Sequence, residues 1–253
     1  MIWQENRYRS VLMNYETSQQ LLEIWQEAYK GAYPAKAKPF GFVTIQELEK
    51  MRDVLDITEE HLLLDVGCGT GGPGLWVAEQ TGARLIGIDL IPEAIAIART
   101  KTQHFTLQHH ARFLVQDVCE MAIPDLSLDA IISIDCLWMV LDKPLAFKEL
   151  FRVSKSGAKV AFTTWTPNFM SIDSILTGIG FKVLLDEETP NWRERQMLVY
   201  RGIVARKKEL ELELGRDALD VLLAEATNAK VDLIQSTRRF IVLEKQACNN
   251  YPS

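Results

Sequence analysis

The sequence predicts a doubly wound α/β domain, and two patterns lead to that prediction. Short apolar runs alternate with segments of helical periodicity from about residue 62 onward. A turn crowded with glycines follows the first of these runs, in the stretch LLLDVGCGTGGPG at 62–74. Strands that alternate with helices need crossover connections, and these build a mostly parallel sheet with helices on both faces.

Seven strands account for the apolar runs. They are predicted at 62–66, 84–88, 111–115, 130–134, 158–164, 180–186 and 239–244. Helices are predicted between them at 73–81, 92–102, 144–153 and 172–179. A mostly helical stretch from about 192 to 228 then precedes the last strand, which predicts a helical insertion at about 190–230.

A separate segment precedes the first strand. An amphipathic helix is predicted at 18–30, and its apolar face must pack on another part of the chain. The proline- and glycine-containing loop after it carries Tyr33 and Phe42 and cannot continue the helix. We therefore divide the chain into an N-terminal helical lid at 1–44 and a main domain at 45–253.

Composition narrows the possible partners. The chain has 253 residues, a formal charge of −6 and no dense basic run, so we expect no nucleic-acid partner. Acidic residues interrupt the most apolar segments and the N-terminus is polar, so we expect neither a membrane span nor a signal peptide. Four scattered cysteines show no metal-ligand spacing, which indicates no metal and a cytoplasmic location.

The glycine-rich turn predicts a ligand site. Gly67 and Gly69 have no Cβ and can adopt positive φ, so a ligand can approach the backbone closely. With Gly72 they also satisfy G-x-G-x-x-G, which keeps a nicotinamide-dependent oxidoreductase open as an alternative. Asp65 precedes the first glycine, where its charge would repel a pyrophosphate. The turn therefore favours a ligand that offers a cation or hydroxyl groups.

Four stretches, in order, resemble the class I S-adenosylmethionine-dependent methyltransferases. The similarity is to the small-molecule branch that includes ubiquinone-type and sugar O-methyltransferase-like enzymes. The stretches are LLLDVGCGTG, LIGIDL, FLVQDV and the segment from LDAIISIDCLWM to VAFTTW. The resemblance implies a Rossmann-like fold, S-adenosyl-L-methionine as the cofactor, and a methyltransferase domain at 45–253.

Cofactor-binding roles follow for the ends of the first three strands. Asp89, with Leu90, lies at the interval after the turn where a doubly wound fold places a carboxylate on ribose hydroxyls. The resemblance places Asp117 and the backbone of Val118 at the adenine amine. Asp65 and Gly67 would face the methionine end of the cofactor, whose ammonium a carboxylate can bind.

The fourth strand is predicted to bring cofactor and acceptor together. Ser133 and Ile134 end this strand at the carboxyl edge, where open α/β sheets bind ligands. Asp135 follows and is our candidate for orienting the acceptor or accepting its proton. Within the glycine turn, Gly69 completes the bend and Cys68 is a small filler beside the cofactor.

Aromatic residues indicate the character of the acceptor. Trp138, Trp165 and Trp192 follow three different strands, while Tyr33 and Phe42 lie in the N-terminal loop that could close over the cleft. Together they predict a hydrophobic or aromatic acceptor. Relatives often carry histidine near the position of Trp138, which makes base catalysis from there unexpected.

The leading interpretation is methyl transfer to N or O of a small molecule. A sulfonium has a good leaving group, so in-line displacement needs chiefly an oriented acceptor. A nicotinamide-dependent oxidoreductase and a non-catalytic cofactor-binding subunit remain as alternatives. The sequence leaves open whether the protein is a monomer or a homodimer.

Overall fold

The computed structural model describes residues 2–168 and 173–247. Its strands are β1 Leu62–Val66, β2 Arg84–Asp89, β3 Ala111–Val115, β4 Leu128–Ile134, β5 Ser154–Pro167, β6 Phe181–Glu188 and β7 Ser236–Lys245. Its α-helices are α1 Ile2–Tyr15, α2 Gln19–Tyr29, α3 Ile45–Leu55, α4 Gly72–Thr81, α5 Pro92–Lys101, α6 Lys143–Val153, α7 Asp173–Ile179, α8 Trp192–Ala205, α9 Lys207–Leu214 and α10 Arg216–Gln235.

The strands form one sheet in the order β3-β2-β1-β4-β5-β7-β6. Strand β7 runs antiparallel to both β5 and β6, and the other pairings are parallel. The prediction of a seven-stranded, mostly parallel sheet is confirmed. Because chain order reverses between β1 and β4, a crevice opens beyond their carboxyl ends.

Strands β5 and β7 exceed their predicted lengths by the most. Strands β5 and β7 pair without interruption from Lys159–Glu244 to Pro167–Ser236. The added residues at this end include Thr166 and Arg238, which lack the apolar character used to recognise a strand. The antiparallel ladder satisfies their backbone groups, so the pairing continues past the apolar run.

The helical insertion is divided into three helices rather than one. The first break falls at Arg206 and the second at Gly215, whose φ of +81° no helix accommodates. Helix α1 is an additional element that the polar N-terminus did not predict, while the predicted start of α7 at Ile172 lies outside the described residues. None of the helices in the described ranges is long and apolar enough to cross a bilayer.

The N-terminal helices and the insertion share a hydrophobic core of their own. Tyr15 and Trp25 from the N-terminal segment are buried in the same cluster as Val199, Ile203 and Leu222 from the insertion. Separate clusters cover the two faces of the sheet. We call the combined unit of α1, α2, α8, α9 and α10 the helical cap. It encloses the cavity that opens at the carboxyl ends of the strands.

Candidate cofactor and acceptor site

One cavity of about 960 Å³ joins the sheet edge to the helical cap. Gly67 and Gly69, after β1, line one part of it, and Asp135, after β4, lines the middle. Tyr200 of α8 and Ala229 of α10 line the cap side. The cavity is large enough for both a nucleoside cofactor and a small acceptor.

The glycine turn needs glycine for two different reasons. At Gly67, φ is +66° and a Cβ would lie 2.1 Å from the Sγ of Cys136, so a larger residue would clash. At Gly69, φ is +52° but a Cβ would meet only Leu12, at 3.9 Å. The space over Gly69 is therefore open to the cavity, and bare backbone is available there for a ligand.

The carboxylate of Asp89 is held at the cavity wall by two backbone amides. The amide of Gly69 donates to its Oδ2 and the amide of Ile91 to its Oδ1, both at 2.9 Å. Burial raises the pKa of Asp89, and these backbone hydrogen bonds oppose the rise. Each oxygen keeps a further lone pair, so the side chain can still accept hydrogen bonds from ligand hydroxyls.

Asp117 and Val118 line the same cavity after β3, and Leu90 lines it after β2. The amide of Cys119 donates to Asp117 Oδ1 at 2.8 Å, and the carboxylate has further lone pairs with which it can accept hydrogen bonds. The structure thus brings the residues predicted for ribose and adenine to one wall. Their contacts with a cofactor remain predictions.

Asp65 does not line the cavity, although the sequence places it at the methionine end of the cofactor. Side chains alternate along β1, so Asp65 shares the face of Leu63 and points toward α4. A Cβ on Gly74 would lie 2.4 Å from Asp65 Oδ2, and that oxygen is buried without a hydrogen-bond partner in the described ranges. Burial, with the nearby charge of Asp89, raises the pKa of Asp65 to about 7.

Two further residues predicted at the cofactor lie beneath the cavity wall. The hydroxyl of Ser133 donates to the carbonyl of Val66 at 2.9 Å, which keeps it between β4 and β1. The Cys68 sulfur packs on Gly87, where an added Cβ would lie 3.1 Å from it. Because both side chains pack against neighbouring strands, neither residue lines the cavity. Ile134, the third predicted residue here, does line it.

Two of the predicted pocket aromatics belong to the interior of the cap. The Tyr33 hydroxyl lies 3.0 Å from that of Tyr15, and burial raises the pKa of Tyr33 to about 12. Trp192 is buried at the start of α8, where its indole donates to Glu188 at 2.8 Å. Both side chains fill the cap core, which is why they do not reach the cavity.

The remaining three predicted aromatics form a continuous wall with a fourth. Trp165 lies edge-on to Trp138 and to Phe42, with ring centroids 5.8 Å and 5.7 Å apart. Phe42 in turn contacts Tyr200, at 5.9 Å. Such tilted and edge-on contacts are favourable for aromatic rings. The wall runs from the end of the sheet to helix α8, and all four residues line the cavity.

The carboxylate of Asp135 accepts hydrogen bonds from the sheet and from the loop before α3. Its Oδ2 accepts from the Phe42 amide at 2.7 Å, and its Oδ1 accepts from the Thr163 hydroxyl at 2.8 Å and from Arg238 Nε at 3.0 Å. Arg238 is fully buried and also donates to Glu47, at 2.6 Å. This arrangement fastens the loop before α3 to the end of the sheet.

A second cluster fastens the cap to the glycine turn. Glu16, between α1 and α2, accepts a hydrogen bond from Thr70 at 2.5 Å and pairs with the ammonium of Lys101. Lys101 also donates to the Thr70 hydroxyl, at 3.1 Å. The first cluster thus ties the loop before α3 to the sheet, and the second ties the cap to the glycine turn.

Some lining residues carry no sequence signal for a site. Gln196 of α8 and Glu225 of α10 line the cavity from helices that read only as an insertion. Trp25 and Phe40 also line it, but the sequence presents them as an apolar helix face and a loop aromatic. Only the packing of the cap on the sheet brings these residues to the cavity.

Fold and site together define a class. A seven-stranded sheet with one antiparallel strand, a glycine turn after β1, and aspartates at the ends of β2 and after β3 are the features of a class I S-adenosylmethionine-dependent methyltransferase. Residues 64–162 match the family described as a methyltransferase domain. The chain therefore carries a methyltransferase domain of this class, as the sequence predicted.

Curated relatives agree with this assignment. The chain is 28% identical over 128 residues to methyltransferase GfsG of Streptomyces halstedii, covering 51% of this chain and 46% of that protein. It is 37% identical over 98 residues to ajmaline N-methyltransferase of Rauvolfia serpentina, covering 39% and 34%. The matches span less than half of either relative. They give no support to the oxidoreductase alternative.

Solved structures share the fold. Phosphoethanolamine N-methyltransferase 2 of Haemonchus contortus, in complex with S-adenosyl-L-methionine, has a TM-score of 0.71 at 19% identity, covering 95% of this chain and 60% of that one. The [4+2]-cyclase SpnF has a TM-score of 0.70 at 22% identity, covering 80% and 81%. At these identities the similarity is one of fold.

The cavity fits the cofactor of the class, S-adenosyl-L-methionine. Open backbone at Gly69 leaves room for the amino-acid portion, and the carboxylate of Asp89 has lone pairs left for ribose hydroxyls. The carboxylate of Asp117, which lines the cavity, has lone pairs that can accept from an adenine amine. Asp65 is not among the residues that line this cavity, so its contact with the ammonium of the cofactor is not supported by the geometry.

Proposed function

We propose that the protein transfers a methyl group from S-adenosyl-L-methionine to N or O of a small hydrophobic or aromatic acceptor. The observation that carries this proposal is the single cavity that runs from Gly69 and Asp89 at the sheet edge to the aromatic wall under the cap. Cofactor and acceptor can share this one cavity, which Asp135 also lines.

The bound cofactor supplies a methyl group on a positively charged sulfur. In such a transfer the acceptor's lone pair would form the new bond to the methyl carbon as the bond from that carbon to sulfur breaks, and the electron pair of the broken bond would stay on sulfur. The aromatic wall of Phe42, Trp138, Trp165 and Tyr200 would hold the acceptor in line with that bond. The lid segment at 1–44 and the main domain at 45–253 would exclude water between them.

Calorimetric titration tests the cofactor half of the proposal. Wild-type protein should bind S-adenosylhomocysteine, and Asp89→Asn should weaken binding about tenfold or more, because the site loses charge-assisted hydrogen bonds to ribose. Asp220→Asn, on the exposed face of α10, is the matched control and should bind as wild type. Equal affinity in Asp89→Asn would contradict the assignment of that wall.

Turnover tests the other half. Formation of S-adenosylhomocysteine with a panel of amines, phenols and alcohols would establish transfer. SpnF shares this fold but is named a [4+2]-cyclase. The fold and cofactor binding therefore do not by themselves establish methyl transfer. Tight binding without turnover on any acceptor would instead favour a non-catalytic cofactor-binding subunit.

A further inference from the structure

Polar atoms without partners lie inside the aromatic part of the cavity. Gln196 is only 4% exposed and lines the cavity from α8. Its Nε2 donates to the Tyr200 hydroxyl at 2.9 Å, but its Oε1 is buried without a hydrogen-bond partner in the described part of the chain. A buried acceptor left in this state is costly, and a ligand that donates a hydrogen bond removes the cost.

The charges that line the cavity are mostly negative. Among the described residues that line it, the carboxylates are Asp89, Asp117, Asp135, Asp142, Glu225 and Asp232, and the one cationic side chain is Lys143. The Lys143 ammonium already donates to two backbone carbonyls, at 2.8 Å and 3.0 Å. A cavity lined by more carboxylates than cations attracts cations and repels anions, although Asp142 and Asp232 are exposed and their charges are screened by solvent.

The acidic character extends to the acceptor side. Glu225 and Asp232 lie seven residues apart on α10 and so share the helix face that lines the cavity. Asp135 has Arg238 beside it, but Arg238 is also paired with Glu47, so that buried group remains net negative. The ring of Tyr200, whose hydroxyl accepts from Gln196, adds a face to which a cation is attracted.

We propose that the acceptor is a hydrophobic amine that binds as its ammonium form, donating an N–H to Gln196 Oε1 within the aromatic wall. The inference rests on the proposed function and specifies its substrate class. Before transfer the ammonium would lose its proton to solvent, and the nitrogen lone pair would then form the bond to the methyl carbon while the bond from that carbon to sulfur breaks and leaves its electron pair on sulfur. A phosphate-bearing acceptor is disfavoured, because the described lining offers an anion only the engaged ammonium of Lys143.

Three indoles of similar size and different charge test the proposal. Tryptamine is a cation near neutral pH, tryptophol is neutral and indole-3-acetate is an anion. We expect affinity to fall in that order in calorimetric titrations of the full chain, with and without saturating S-adenosylhomocysteine. Equal or tighter binding of tryptophol or indole-3-acetate, or no binding of any of the three, overturns the inference.

Variants of Gln196 test the residue. Gln196→Met keeps the side-chain volume and should weaken tryptamine about tenfold, since one hydrogen bond to a charged group is lost. Gln196→Glu should restore tryptamine binding and weaken indole-3-acetate further. Gln19→Met, an exposed change on α2, is the control and should bind as wild type. Unchanged tryptamine affinity in Gln196→Met refutes the role.

The two proposals fail separately. S-adenosylhomocysteine binding by the Gln196 variants reports that they are folded and that the cofactor wall is intact. If the wild-type protein does not bind that nucleoside, the proposed function is refuted, and the order of the three indoles without it still decides whether the cavity selects an amine. If the nucleoside binds but tryptamine is not preferred, only the substrate class is refuted.

Discussion

Asp65→Asn should stabilise the protein, and increasingly so as the pH rises. Burial raises the pKa of this carboxyl from its ordinary value of 3.8 to about 7. The folded state therefore holds the proton to a higher pH than the unfolded state, and the free energy of unfolding falls between about pH 4 and about pH 7. Asparagine has nearly the same shape and no charge, so the variant lacks this decline.

The size of the effect follows from the shift. Raising a pKa by about three units corresponds to about 4 kcal/mol, which is the cost of ionising Asp65 in the folded protein above about pH 7. The difference in free energy of unfolding between variant and wild type should thus grow by several kcal/mol, at most about 4, from about pH 4 to about pH 8.

Urea denaturation across that pH range measures the difference. Asp53→Asn is the matched control, because Asp53 is exposed and hydrogen bonding to Arg52 lowers its pKa, so the pH trend should be opposite in sign. A difference for Asp65→Asn that does not change with pH, or one that shrinks as the pH rises, would refute the placement of this carboxyl below the glycine turn.

Two further substitutions test the glycine turn and the ion pairs of Arg238 with Glu47 and Asp135. Gly67→Ala would force a Cβ to 2.1 Å from the Cys136 sulfur at a φ of +66°, so S-adenosylhomocysteine affinity should fall and stability should drop by about 1–3 kcal/mol; unaltered titration and denaturation curves would contradict this. Arg238→Met would leave Glu47 and Asp135 buried without a counter-charge, and urea denaturation should show a loss of about 3–5 kcal/mol. A loss below about 1 kcal/mol would argue against the ion pairs.

The sheet and the cofactor wall were predictable because their signals are local. Each strand from β1 to β4 is a largely apolar run of a few residues, with Asp89 as the last residue of β2 and Asp117 two residues after the end of β3. Parallel strands bring their carboxyl ends to one edge, so adjacency in sequence becomes adjacency in space. Asp89 and Asp117 reach one wall for that reason.

The direction of a side chain is a finer question than its position. Period-two alternation along β1 places Asp65 on the α4 side, with Leu63, and away from Val66. The same alternation turns the Ser133 side chain toward β1, where its hydroxyl donates to the carbonyl of Val66. The alternation of side chains along a strand predicts both placements, whereas the motif alone predicts contact with the cofactor.

The acceptor side could not be read from local pattern, because its contacts are long-range. Tyr8 bonds to Glu225 across more than two hundred residues, and Asn14 donates to the carbonyl of Leu214. Gln196 lies in a helix whose sequence shows only a mixture of charged and apolar residues. Its place at the cavity depends on the core of the cap, which forms between the N-terminal segment and the helical insertion.

Asp135 connects the two halves of the site. Its backbone has a φ of +54°, a conformation that costs free energy and persists only when surrounding contacts impose it. Those contacts come from Thr163 of the sheet, the Phe42 amide of the loop and Arg238 of β7. Accepting a proton from the acceptor would neutralise the carboxylate and leave the buried Arg238 with one partner fewer, which is unfavourable. The geometry therefore favours a positioning role over proton acceptance: Asp135 would hold Phe42 in the aromatic wall, and the acceptor pocket would be complete only when the cap is docked on the sheet.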